Sequence, residues 1–187
     1  METGHTKSIG KHPLKVVITG PESTGKSTLA ESLANHYNTV FVPEYARNYV
    51  ENLNRPYQYS DLEFIANKQV EDLAKHTPLA NNILFLDTYL IITKVWFEVV
   101  YKKMPEWLDN AIRKSDIDLF LLCNTDIPWT PDGVRENGGE MREYLFHQYK
   151  KELEHYGFDY RIVGGLDEQR QKEAIVYIDD FLSGIIS

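Results

Sequence analysis

The 187 residues, 42% hydrophobic and 26% charged, suffice for one compact α/β domain, leave no room for a second full one, and form a core that needs neither metal nor disulfides. A single cysteine, Cys123, excludes an intramolecular disulfide, and no apolar run is long enough to span a bilayer. A formal charge of -8 disfavours nucleic acid and anionic membranes, which require broad cationic surfaces, so a cytoplasmic protein with a local anion site and neither of those partners is expected.

Residues 1–13 are polar, lack the apolar centre of a signal peptide and read as a flexible tail, leaving residues 14–187 as the domain. Leu14 to Thr19 is a β-branched run ending at Gly20, as in a buried parallel strand that feeds a turn. Leu29, Leu33 and Tyr37, with Ala30 and Ala34 beside them, give an apolar stripe to a helix from about Ser27 to Tyr37. Thr39 to Val42 reads as a second strand and Glu44 to Leu53 as a helix. Ser60-Asp61-Leu62-Glu63 reads as a capping box opening a helix that runs to about His76 before Pro78. Asn82 to Asp87 is a third strand, followed by an unusually apolar, buried helix from Tyr89 to about Lys102 and a short helix with Pro105 at its start.

Asp118 to Cys123 is a fourth strand. The loop from Asn124 to Gly139 holds two prolines and three glycines, is too long for a simple connection, and with the next helix start forms a lid over residues 124–142. A helix from Glu140 to Tyr156 ends at Gly157, Asp159 to Val163 is a fifth strand, and a closing helix begins near Asp167. The alternation predicts an α/β fold: a five-stranded parallel sheet with helices on both faces, a lid after strand four, and ligands at the carboxyl ends of the strands.

Gly20-Pro21-Glu22-Ser23-Thr24-Gly25-Lys26-Ser27 matches the P-loop pattern and lies between a strand and an amphipathic helix, as its mechanism requires. Backbone amides of Gly20, Glu22, Ser23, Thr24, Gly25 and the helix start through Thr28 would cradle ATP phosphates, Lys26 would reach the β- and γ-phosphates, and Ser27 would ligate Mg2+. Asp87 closes an apolar strand from which its carboxylate can reach the same metal, or cap the next helix. The residue after it is Thr88 rather than a second carboxylate, which favours transfer to a bound hydroxyl over hydrolysis.

Just beyond strand two, Glu44 is a candidate general base or ribose anchor and Arg47 a phosphate clamp; the alternative is a solvated surface pair. Gln69 interrupts an apolar helix stripe, so its amide either reads the edge of a base or is satisfied within the core. Arg135 in the lid can close over the transferring phosphoryl group. Arg142 can do the same or pair with Glu140 or Glu143, and Trp129 stacks on a base or anchors the loop. Gly164-Gly165 permits close approach of a ligand such as adenine, or simply a tight turn. Cys123 reads as a small core residue.

The segments GPESTGKSTLAESLA, VPEYARNYV, FLDTYLIITKVW and DIPWTPDGVRENGGEMR together resemble the ribosylnicotinamide kinase domain of NadR-type proteins, a P-loop kinase and AAA-like ATPase family, from Lys15 onward. The resemblance implies ATP-dependent phosphorylation of the 5′-hydroxyl of nicotinamide riboside in NAD salvage. Lys26 and Ser27 then serve ATP and Mg2+, Glu44, Arg47 and Asp87 face the nucleoside, and Arg135 belongs to the lid. The alternatives are a kinase of another nucleoside and a nucleotide-dependent regulatory ATPase.

Three departures from the family pattern stand out. Tyr89 replaces the second acid of D-T-D, and Pro43 stands where relatives carry a tryptophan that stacks on nicotinamide. The Gly4-His5 pair lacks the strand that precedes the family's nucleotidylyltransferase motif, so no adenylyltransferase activity is expected.

Overall fold

The computed structural model describes residues 12–129 and 139–186. Five strands, β1 (Leu14–Thr19), β2 (Phe41–Val42), β3 (Ile83–Asp87), β4 (Leu119–Cys123) and β5 (Tyr160–Val163), form one sheet in the order β2-β3-β1-β4-β5. Every pairing is parallel, with Val16 opposite both Phe85 and Leu119. β1, β3 and β4 are buried along their whole length, which is why they read as unbroken apolar runs rather than alternating ones.

Among the described residues seven α-helices cover both faces: α1 (Lys26–His36), α2 (Tyr45–Glu51), α3 (Tyr59–His76), α4 (Leu90–Tyr101), α5 (Glu106–Lys114), α6 (Gly139–Tyr156) and α7 (Asp167–Ile186). Leu14, Val16 and Ile18 of β1 point to the face packed by Leu29 and Leu33 of α1 and by Ala174 and Ile178 of α7. Val17, Leu84, Leu86 and Phe120 point the other way, against α3, α4, α5 and α6. The expected apolar α4 is largely buried, and its buried Lys94 pairs with the buried Glu152 of α6 at 2.7 Å.

The cap of α3 sits two residues earlier than the sequence motif suggested. Asp61, not Glu63, reaches back, accepting from the Gln58 amide at 2.7 Å. The same carboxylate also accepts from Tyr49 and Arg55, so it is needed at a junction between α2 and α3 rather than as a local helix start. Its pKa lies well below the usual carboxylate range, chiefly through the Arg55 bond.

β2 is only two residues long, shorter than expected at its start, because Asn38 turns through a left-handed conformation (φ 50°) and Thr39 spends its hydroxyl on the Ile83 carbonyl at 2.7 Å. Within the described residues no helix is long and apolar enough to cross a membrane. Residues 1–11 of the expected tail and 130–138 of the expected lid, including Arg135, lie outside the described residues.

Candidate active site

The loop Gly20–Ser27 leaves β1 at its carboxyl end, where the strand order reverses on either side of β1. Gly20 adopts φ 142°, and a Cβ there would meet the Cys123 carbonyl oxygen at 2.9 Å, so glycine is required by conformation and by contact. Gly25, at φ 73°, turns the chain into α1 and exposes that helix's first amides, a ready anion site. The Pro21 carbonyl accepts from both the Thr24 hydroxyl and the Lys26 ammonium at 2.8 Å, which holds the lysine tip over the loop.

Asp87 ends β3 with 3% exposure. Ser27 stands beside it and pulls its pKa down, while its Oδ1 is buried without a hydrogen-bond partner among the described residues. A buried orphan carboxylate oxygen beside a serine hydroxyl is the donor set a hard divalent cation takes, so the pair fits magnesium. Burial raises the Asp87 pKa, against the pull of Ser27, Lys26 and Arg47. Thr88, which follows it, is buried at φ 71°, and its amide donates to the Ile18 carbonyl at 3.0 Å. A β-branched residue in the left-handed region is backbone strain beside a candidate reacting centre.

Glu44 caps α2 from an extended conformation. Burial raises its pKa, with Lys26 opposing, Asp87 adding, and Arg47 opposing. Arg47 therefore lies in the field of both carboxylates, and its Nε also donates to Glu51 at 2.9 Å. Glu44 and Arg47 share with Lys26 and Ser27 the wall of a cleft of about 910 Å³, which Tyr57 and Trp96 also line. Those two rings meet edge to face with centroids 4.8 Å apart. Tyr149 of α6 also lines the cleft, and burial pushes its phenol pKa far up.

Gln69 lies away from this cleft. Its carbonyl accepts from Thr93 at 2.8 Å, and it borders a separate hollow of about 10 Å³ that it shares with Pro43, Asp87 and Tyr89. Arg142 is buried and donates to the carbonyls of Glu22 at 3.0 Å and Ser23 at 2.9 Å, bracing the phosphate loop from α6. The Trp129 indole nitrogen is buried without a hydrogen-bond partner among the described residues. Cys123 is fully buried under Gly20, and burial raises its thiol pKa.

Sequence reasoning assigned no role to Tyr57, Trp96, Tyr149 or Arg170. Trp96 falls within the segment FLDTYLIITKVW, in the helix that follows Asp87, and that was the available signal. Tyr57 comes from a connecting loop and carried none.

Known proteins share the sequence family and the fold. A family model described as an AAA domain matches residues 15–170. The trifunctional NAD biosynthesis/regulator proteins NadR of Salmonella typhimurium and Escherichia coli are 31% and 32% identical over 142 residues, 74% of this chain. The chain spans 35% of the length of each. A NadR protein solved in complex with NR superposes with a TM-score of 0.77 at 25% identity, covering 90% of this chain and 51% of the other. A thymidylate kinase from Ehrlichia chaffeensis shares the fold, with a TM-score of 0.60 at 14% identity over 89% of this chain and 98% of its own. With its P-loop, parallel sheet and matched span, the chain belongs to this AAA-domain family of P-loop proteins.

Proposed function

We propose that this chain is an ATP- and magnesium-dependent kinase that phosphorylates the 5′-hydroxyl of nicotinamide riboside to the mononucleotide. The observation that carries the reading is the shared cleft. Glu44, with a raised pKa, and Arg47 line, together with the phosphate loop, a cavity large enough for a nucleoside and bordered by the rings of Tyr57 and Trp96. A simple hydrolase has no need of such an acceptor chamber. The likeness to NadR proteins, one of them solved with NR, supports the choice of acceptor.

In this reading the amides at the start of α1 hold the β- and γ-phosphates, and Lys26 exchanges the Pro21 carbonyl for phosphate oxygens. Ser27 and Asp87 hold magnesium, which when bound neutralises charge on the phosphates. Glu44 orients the acceptor hydroxyl and receives its proton as the oxygen attacks the γ-phosphorus. The bond from that phosphorus to the bridging β,γ-oxygen breaks, leaving ADP. Burial raises the proton affinity of Glu44, which suits it to that task. Arg47 stabilises the equatorial oxygens, and Arg142 holds the Glu22 and Ser23 carbonyls of the phosphate loop.

A nucleoside panel incubated with ATP and Mg2+ tests the reading. Nicotinamide riboside should yield its mononucleotide, and Lys26→Met should abolish it. ADP release that no nucleoside accelerates would overturn the reading.

A further inference from the structure

Three loops at the carboxyl edge of the sheet converge on one buried guanidinium. Arg170, in the first turn of α7, is 3% exposed. Its Nη1 donates to the Thr24 carbonyl of the phosphate loop at 3.0 Å, its Nε to the Gly165 carbonyl after β5 at 2.9 Å, and its Nη2 to the Asn124 carbonyl after β4 at 3.4 Å. Nη2 also pairs with the Asp126 carboxylate, whose other oxygen accepts from the Gly165 amide at 2.6 Å. The loops following β1, β4 and β5, three neighbouring strands, are thus held by a single cation. Only a planar fork with donors in several directions reaches four such oxygens; an ammonium on a flexible stem does not.

The topology says which end of a nucleotide these loops serve. Glu44 and Arg47, which follow β2, and Ile92 and Trp96 of α4, which follows β3, line the acceptor cleft with the phosphate loop. In-line displacement puts the leaving nucleotide on the opposite side, over β4 and β5. Gly164 packs tightly there, since a Cβ on it would stand 3.0 Å from Asp126 Oδ2.

We propose that Arg170 is a positioning residue for the nucleotide, fixing the Thr24 peptide of the phosphate loop relative to the two turns that receive the base end. The inference rests on nucleotide binding at the phosphate loop and is independent of which acceptor is phosphorylated.

Titration calorimetry with Mg·ATP, Mg·ADP and inorganic tripolyphosphate tests it in wild type, Arg170→Lys and Asp126→Asn, with circular dichroism and Tm recorded alongside. Each variant should bind ATP about tenfold more weakly, the loss of a charge-assisted tie, while tripolyphosphate, which has no base, loses less. The double variant should fall little below the weaker single one, because both break the same tie. The acceptor KM should stay within about twofold of wild type. Folded variants that bind ATP as wild type does, or a lowered Tm with unchanged nucleotide affinity, would overturn the proposal. So would equal losses for ATP and tripolyphosphate. If Arg170→Lys fails to fold, Asp126→Asn decides, because Asp126 is partly exposed and its replacement opens no cavity.

Discussion

The Asp87 carboxyl sits under opposing influences. Burial at the end of β3 disfavours its charge, and Ser27, Lys26 and Arg47 offset that only in part. A carboxyl with a raised pKa in the folded state stabilises the fold while protonated, so its contribution is present at low pH and lost as pH climbs through the raised value. Glu44 behaves in the same sense. Ionising these two buried carboxyls, as the chemistry requires, therefore weakens the ligand-free fold. Asp87→Asn should raise the Tm of the ligand-free protein at pH 7 by about 2–4 °C. It should also lower kcat by about a hundred- to a thousandfold. Calorimetry across pH should show the Tm gap narrowing toward acid, and a lower Tm for the variant at pH 7 would contradict the assignment.

Residues of this kind were legible to different degrees. The phosphate loop and Asp87 could be found because their chemistry demands particular residue types at fixed places beside a strand. Arg170 could not, because three of its four partners are backbone carbonyls and leave no trace in residue identity. Gln69 read correctly as inward-facing, but only the fold reveals that it meets Thr93 across α3 and α4.

Among elements, α2 matters most, since it carries Glu44 and Arg47 yet is only seven residues long. Too short to be stable alone, it depends on its anchors. Asp61 is the chief of these, binding Tyr49 of α2, Arg55 beyond it and the Gln58 amide at the start of α3. Because Arg55 and Gln58 depress its pKa, its contribution is present above the ordinary carboxylate range and lost as pH falls. Asp61→Asn should lower Tm at pH 7, with the difference closing in acid, and should raise the acceptor KM more than the ATP KM. An unchanged acceptor KM would show that α2 holds its place without this anchor. The sequence pointed to the right element here but to the wrong cap, because Ser60 to Glu63 satisfies a local pattern while the carboxylate is recruited by tertiary partners.

At the scale of the whole molecule, the alternation of strands and helices was enough to predict a parallel sheet covered on both faces, since short apolar runs joined by helices have few other ways to be buried. Strand order was not legible. It emerges only when β3 inserts beside β1, which sets Asp87 opposite Ile18 and near Ser27 at the start of α1. The same packing brings Trp96 of α4 beside Tyr57 and builds an aromatic wall to the cleft. A cationic pyridinium ring is well matched to that wall. Trp96→Ala should raise the KM for nicotinamide riboside about tenfold and leave the KM for ATP unchanged, the loss of one stacking and cation–π contact. Equal changes in both would indicate a general loosening of the domain.

The central claim is that the phosphoryl group leaving the P-loop is delivered to a nucleoside in the adjoining cleft. Following radiolabel from the γ-phosphate of ATP measures this directly. The account predicts label in the 5′-phosphate of nicotinamide mononucleotide, formed at a rate that rises with nucleoside concentration and saturates. Label appearing only as inorganic phosphate, at the same rate with and without nucleoside, would contradict it.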